Sequence, residues 1–291
     1  MKLGIALGGG SLRGAAHVGI LQVLEENGII PDLVAGTSAG SIVASLFASG
    51  LKAKQIADFF NFLPGLKERD LAKFMSVEKE ELIQVTSWLP KIPKGLISSN
   101  LLEKLLAIFL GRKTFDQLKK PLAVIATDIY NGQGVVYTST NQRINLPPDG
   151  KFTLERNKVV IEAVTASCAI PGVFTPKTIG QKTLVDGGVV DNVPADIVKG
   201  MGADIVIAVD LGFNVNQTTP FRHMIDIILQ TFDIMGQRIT NLITTDYADL
   251  TLRPVTGSAT LYDFHKIPYL IETGRQEAER RLPEIKKILR K

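Results

Sequence analysis

Cysteine is nearly absent: the single thiol, Cys168, excludes an intramolecular disulfide and leaves a cysteine-based zinc site without ligands. Such a chain suits a reducing compartment, and the expected location is the cytoplasm. Histidine is almost as scarce, with only His17, His223 and His265, which restricts the histidine-based catalytic schemes open to the protein. Long apolar runs are missing too. The longest nearly apolar segment, Ile42 to Leu51, is broken by serines and falls short of the roughly 18 residues that a membrane span requires. Leu3 to Leu7 is too short for the core of a secretion signal and runs into glycines rather than a cleavage site, so any membrane contact is expected to be peripheral. No linker, low-complexity stretch or internal repeat divides the 291 residues, and a single domain over 1–291 is expected.

What is present is an apolar content of 45%, enough to bury a large core, and a mild basic excess of +4. That excess favours approach to anionic surfaces such as phospholipid headgroups, and it is equally what an ordinary solvated surface carries. It implies no nucleic-acid partner.

Leu3 to Leu7 reads as a buried strand, followed by glycines and then by Val18, Leu21 and Leu24 at helical spacing in a segment closed by Gly28. The unit repeats with Leu33 to Gly36 and a helix over Ser41 to Ser49. Further apolar runs at 122–127, 135–138, 183–185 and 205–209 alternate with helical segments at 159–167 and 193–201. This alternation predicts a three-layer α/β/α domain with a mainly parallel sheet. Residues 52–112 break the pattern with amphipathic helices, including Ser98 to Leu110, and are expected to form a helical insertion placed to cover a site. Leu101, Leu105 and Phe109 on that insertion are expected to hold an apolar ligand. The amphipathic stretch Phe221 to Ile243 fits an interface or a core face.

Two glycine clusters carry the chemistry. In Gly36-Thr37-Ser38-Ala39-Gly40 a strand must turn sharply into a helix, and glycines on either side of the serine permit the close contacts of a nucleophile elbow. The helix start after Ser38 aims free amides at charge developing beside it. The same letters also fit a helix cap without catalysis. In Gly8-Gly9-Gly10-Ser11-Leu12-Arg13-Gly14 successive amides can converge on an anion. A dinucleotide fingerprint fails there in both frames, and a phosphate-binding loop fails because Ala15 and Ala16 stand where Lys and Ser or Thr are needed. The amides of Gly8, Gly9 and Gly10 are therefore expected to form an oxyanion hole. Arg13 is expected to anchor the loop.

An activated serine needs a base. His17 lies on the first helix and reads as a packed or hydrogen-bonded residue, and His223 falls in an amphipathic stretch. His265, late in the chain, fits a Ser–acid–His triad. The competing base is Asp186, at the end of a short strand and followed by Gly187 and Gly188, which free the backbone to turn. Partial burial would raise its pKa and make it an effective base; a turn aspartate capping a glycine loop is the plain alternative. Asp191 and Asp196 read as structural caps, and Cys168 as a buried small residue.

Taken together, the loop from Gly8 to Gly14, the Gly36 to Gly40 elbow and Asp186-Gly187-Gly188 resemble, in order and spacing, the patatin-like phospholipase family, in particular its compact bacterial members. Similarity continues through Ala166 to Phe174 and Asp191 to Pro194. The resemblance implies a three-layer α/β/α fold and a Ser38–Asp186 dyad without histidine. It also implies an oxyanion hole from the Gly8 to Gly10 amides, a lipid acyl ester as substrate, and no metal or organic cofactor. A regulatory protein that keeps the fold as a binding platform is the alternative of another class.

Overall fold

The structure is a computed structural model that describes residues 1–62, 99–212, 224–257, 259 and 263–290. Among the described residues nine strands form one sheet: β1 Leu3–Leu7, β2 Leu33–Thr37, β3 Leu122–Asp128, β4 Gly134–Thr138, β5 Phe152–Glu155, β6 Lys177–Ile179, β7 Lys182–Asp186, β8 Ile205–Val209 and β9 Leu250–Leu252. The order is β5-β4-β3-β2-β1-β8-β9, with β7 paired to β3 and β6 to β7. Five pairings are parallel and three, β3–β4, β3–β7 and β6–β7, are antiparallel. The mainly parallel sheet expected from the sequence is thus present.

The α-helices among the described residues are α1 Ala15–Glu26, α2 Ala39–Ala48, α3 Ala53–Phe62, α4 Ser99–Leu110, α5 Val160–Ser167, α6 Ala195–Gly200, α7 Met224–Tyr247 and α8 Ile267–Ile288. Strand β1 shows how they divide into layers. Its larger residues, Leu3, Ile5 and Leu7, join the core shared with α1 to α5 and α8, while Ala6 faces a smaller core shared with α6 and α7. Such alternation follows from the period of two along a strand. Because both faces are covered, β1, β2, β3 and β8 are buried throughout.

The expected insertion is described only at its two ends, α3 and α4, and residues 63–98 lie outside the described residues. Two side chains expected to hold an apolar ligand do something else. Leu105 is buried in the larger core, and Phe109 packs edge-on against Phe59 of α3, with ring centres 5.2 Å apart. Both side chains join helices to one another. The side chain of Leu101 is outside the described residues. No described helix is long and apolar enough to cross a membrane.

Helices α1 and α8 cross at two glycines. A β-carbon on Gly19 would strike the Ile271 carbonyl, and one on Gly274 would strike the Ala16 carbonyl. Arg275 ties the same pair through Glu26 at 2.7 and 3.0 Å. Replacing Gly274 by Ala is expected to destabilise the protein by about 2 kcal/mol or more, because backbone must separate to admit the methyl. Urea unfolding measures this, and an unchanged midpoint would show that the crossing is looser than described.

Candidate active site

Strand β3 assembles the site. Along one edge β2 runs parallel to it and stops with Thr37 opposite Ile125. Strand β7 then takes over that edge from the other direction and stops with Asp186 opposite Ala126. Two strand ends therefore meet head-on, and Ser38, which follows Thr37, arrives beside Asp186. The glycines after Asp186 make room: a β-carbon on Gly187 would strike the Ile125 carbonyl and stand 3.0 Å from Thr37 Cγ2.

Ser38 holds φ 51° and ψ −125°, a conformation unfavourable for a residue with a side chain. Surrounding bonds impose it. The Ser38 amide donates to Ser167 Oγ at 2.8 Å, while its carbonyl accepts the Ser41 amide at 2.8 Å and Ser41 Oγ at 2.6 Å. Gly36 and Gly40 permit the tight turn: a β-carbon on Gly36 would lie 2.5 Å from the Gly40 carbonyl, and one on Gly40 would strike the Leu7 carbonyl. Asp186 is fixed as firmly. Its amide donates to the Ala169 carbonyl at 2.9 Å, its carbonyl accepts Thr127 Oγ1 at 3.0 Å, and Oδ1 accepts the Gly188 amide at 2.8 Å.

Both side chains are nearly enclosed, with Ser38 5% and Asp186 7% exposed. Burial pushes the Asp186 carboxyl up to about 6, against the opposing pull of the Ser38 hydroxyl and the Gly188 amide. The Ser38 hydroxyl stands close enough to Asp186 to favour its ionised form. Cys168 adjoins the pair, with Sγ 3.9 Å from Ser41 Oγ, and burial and the Asp186 charge raise its thiol far above the ordinary range. It is inert as a nucleophile.

The glycine loop lies against this pair: a β-carbon on Gly9 would sit 3.1 Å from Ser38 Cβ. Its amides are not all open, as the sequence led one to expect. Gly8 N–H donates to the Val209 carbonyl and Gly9 N–H to the Asn192 carbonyl, each at 3.0 Å. Among the described residues the amides of Gly10 and Ser11 have no acceptor. The loop is braced from behind by two residues. His17, fully buried, donates from Nε2 to the Gly8 carbonyl at 2.7 Å, and burial lowers its pKa to about 4, so the ring is neutral. Arg13 donates from Nε to the Gly10 carbonyl at 3.1 Å, from Nη1 to the Gly212 carbonyl at 2.7 Å and from Nη2 to Asp233 at 3.1 Å.

Of the other histidines, His265 is exposed and bonds neither Ser38 nor Asp186, and His223 lies outside the described residues. Asp191 and Asp196 form a buried acid pair behind the site. Burial and the neighbouring carboxyl hold Asp191 well above the usual range, and its backbone carbonyl anchors Thr37 Oγ1 at 2.8 Å. No group of His, Cys, Asp and Glu able to hold a metal occurs among the described residues. A surface hollow of about 430 Å³, lined by Met1, Asp204, Ile205, Asp249 and Ile288, lies at the opposite end of β1 and β8. Its carboxylates already accept the Lys2 and Val206 amides. Sequence reasoning did not find Ser167 or Asn192 in the site. The signal that could have found them was their place in the segments Ala166 to Phe174 and Asp191 to Pro194, which share the family resemblance.

The elevated Asp186 pKa has a consequence for stability. A carboxyl that is harder to ionise when folded leaves stability intact below its unfolded value of 3.8 and reduces it as pH rises through about 6. Asp186→Asn is therefore expected to be more stable than the native chain by roughly 1–3 kcal/mol above pH 7, with the advantage vanishing below pH 4. Denaturant unfolding across that range is the check; an advantage independent of pH would contradict it.

A sequence profile described as Patatin-like phospholipase matches residues 5–199. Human patatin-like phospholipase domain-containing protein 6 is 30% identical over 210 residues, which are 72% of this chain and 13% of that protein. The uncharacterized protein YqhO of Bacillus subtilis is 36% identical over 194 residues, or 64% of this chain and 63% of that one. The match thus takes in less than two thirds of either relative's length. Among solved structures, VipD from Legionella pneumophila shares the fold with a TM-score of 0.51 at 17% identity, over 97% of this chain and 66% of VipD. The glycine loop, the serine elbow and the aspartate strand end all fall within the matched region, and this chain belongs to the patatin-like phospholipase family.

Proposed function

We propose that this protein is a serine acyl hydrolase that cleaves fatty acyl esters of phospholipids or lysophospholipids through Ser38 and Asp186. The observation that supports this reading above others is the meeting of β2 and β7 on one edge of β3, which sets a strained serine beside a buried, hard-to-ionise carboxylate. Ser38 Oγ attacks the acyl carbonyl carbon as Asp186 takes its proton, and the Gly10 amide receives the charge on the former carbonyl oxygen. Collapse breaks the ester bond, and Asp186 returns the proton to the leaving alkoxide. Water then loses a proton to Asp186 and attacks the acyl carbon, which releases the fatty acid and restores Ser38.

The family and the name of the human relative point to lipid esters. Three exposed apolar residues add support: Ile129 and Tyr130 at the β3–β4 turn and Val189 three residues after Asp186. They suit peripheral contact with a lipid surface. The proposed Ser38–Asp186 chemistry uses no cofactor.

Two variants test the reading. Ser38→Ala is expected to lower hydrolysis of a short-chain aryl ester to background, and Asp186→Asn to slow it by about four orders of magnitude, both without loss of fold. Full turnover by either variant would overturn the assignment. The native kcat/KM should rise with pH to a plateau above about 6, because only ionised Asp186 accepts the proton. A profile that falls over that interval would contradict the role of Asp186.

A further inference from the structure

Asn192 stands between the glycine loop and the dyad. A β-carbon on Gly9 would strike its Oδ1 and would stand 3.1 Å from Ser38 Cβ. On its other side Oδ1 is 2.9 Å from the place of a β-carbon on Gly188, which would be 3.1 Å from Asp186 Oδ1. The side-chain amide therefore touches the backbone on both sides of the reacting pair. Among the described residues it makes no hydrogen bond, although it is half-buried.

The backbone that carries it is held tightly. Its carbonyl accepts the Gly9 amide at 3.0 Å, while Asp191, the residue before it, donates to the Gly187 carbonyl at 2.9 Å and accepts Thr37 Oγ1 at 2.8 Å. Val193, the residue after it, is fully buried. An unpartnered amide on so fixed a support is poised for a ligand rather than for the fold. The loop offers an oxyanion fewer donors than its three glycines suggest, since Gly8 and Gly9 are occupied and the Gly10 and Ser11 amides are the ones left open among the described residues. Oxygen and nitrogen of an amide are nearly the same size, so a half-turn about χ2 brings Nδ2 to the place that Oδ1 holds beside Gly9 and Gly188.

We propose that Asn192 is a further catalytic residue, whose side-chain amide donates to the oxyanion of the tetrahedral intermediate alongside the Gly10 amide. This rests on the acyl-hydrolase reading above. The donation matters only when the carbonyl oxygen carries charge, so it lowers the barrier without tightening substrate binding.

The experiment measures aryl ester hydrolysis and inhibition by a trifluoromethyl ketone, whose serine adduct bears the same oxyanion, for the native protein, Asn192→Ala and Asn192→Asp. Asn192→Ala should lose about a hundredfold in kcat with KM nearly unchanged, and ketone inhibition should weaken by the same factor while the melting temperature holds. Asn192→Asp, which keeps the shape but sets a carboxylate against the oxyanion, should be slower still. An active native protein whose two variants match it in kcat and ketone affinity would overturn the donor role alone. So would a loss confined to KM and melting temperature, the mark of a spacer that only supports Gly9. A native protein unable to hydrolyse any ester would overturn the acyl-hydrolase reading and this inference with it.

Discussion

One edge of β3 is shared by two strands that approach from opposite ends, and a strained serine and a buried aspartate lie where they meet. Thr37 and Asp186 face consecutive residues of β3, Ile125 and Ala126, so backbone pairing rather than side-chain contact fixes how near the hydroxyl and the carboxylate come. Each strand must end abruptly. Beyond Thr37 the chain turns into α2 through the strained Ser38, and beyond Asp186 it turns through Gly187, whose missing β-carbon leaves room for the Ile125 carbonyl.

Two unfavourable terms are concentrated at this point. The left-handed backbone of Ser38 costs on the order of 1–3 kcal/mol, and an ionised, buried Asp186 costs a similar amount. Neither could persist on a mobile loop. The surrounding bonds to Ser167, Ser41, Ala169 and Thr127 over-determine both residues, and the large core beneath β1 and β2 supplies the rigidity. The same logic extends to the glycine loop. His17 and Arg13 brace it from behind, while the Val209 and Asn192 carbonyls engage its first two amides and leave those of Gly10 and Ser11 open.

Much of this architecture is legible in the sequence. Strands β1, β2, β3 and β8 are short runs bounded by turns, and burial on both faces makes them apolar without interruption. Strands β5, β6 and β9 escaped notice because they are only three or four residues long and draw their order from neighbours rather than composition. The serine elbow and the aspartate strand end are local patterns and could be read as such. Which glycine amides stay open is not local. Val209 and Asn192 decide it from far along the chain, so a row of three glycines looked like a row of three donors. Amphipathic spacing likewise shows that α4 has an apolar face but not what that face meets, and Leu105 and Phe109 turn out to meet other helices and the core.

The most direct test of the central claim is intact-mass analysis and peptide mapping after treatment with a fluorophosphonate, which reacts with an activated serine far faster than with an ordinary hydroxyl. A single adduct on Ser38, forming at least a hundredfold more slowly when Asp186 is replaced by Asn, is the result expected of a hydroxyl activated by that carboxylate. An adduct on another residue, or equal labelling rates with and without the Asp186 carboxylate, would contradict it.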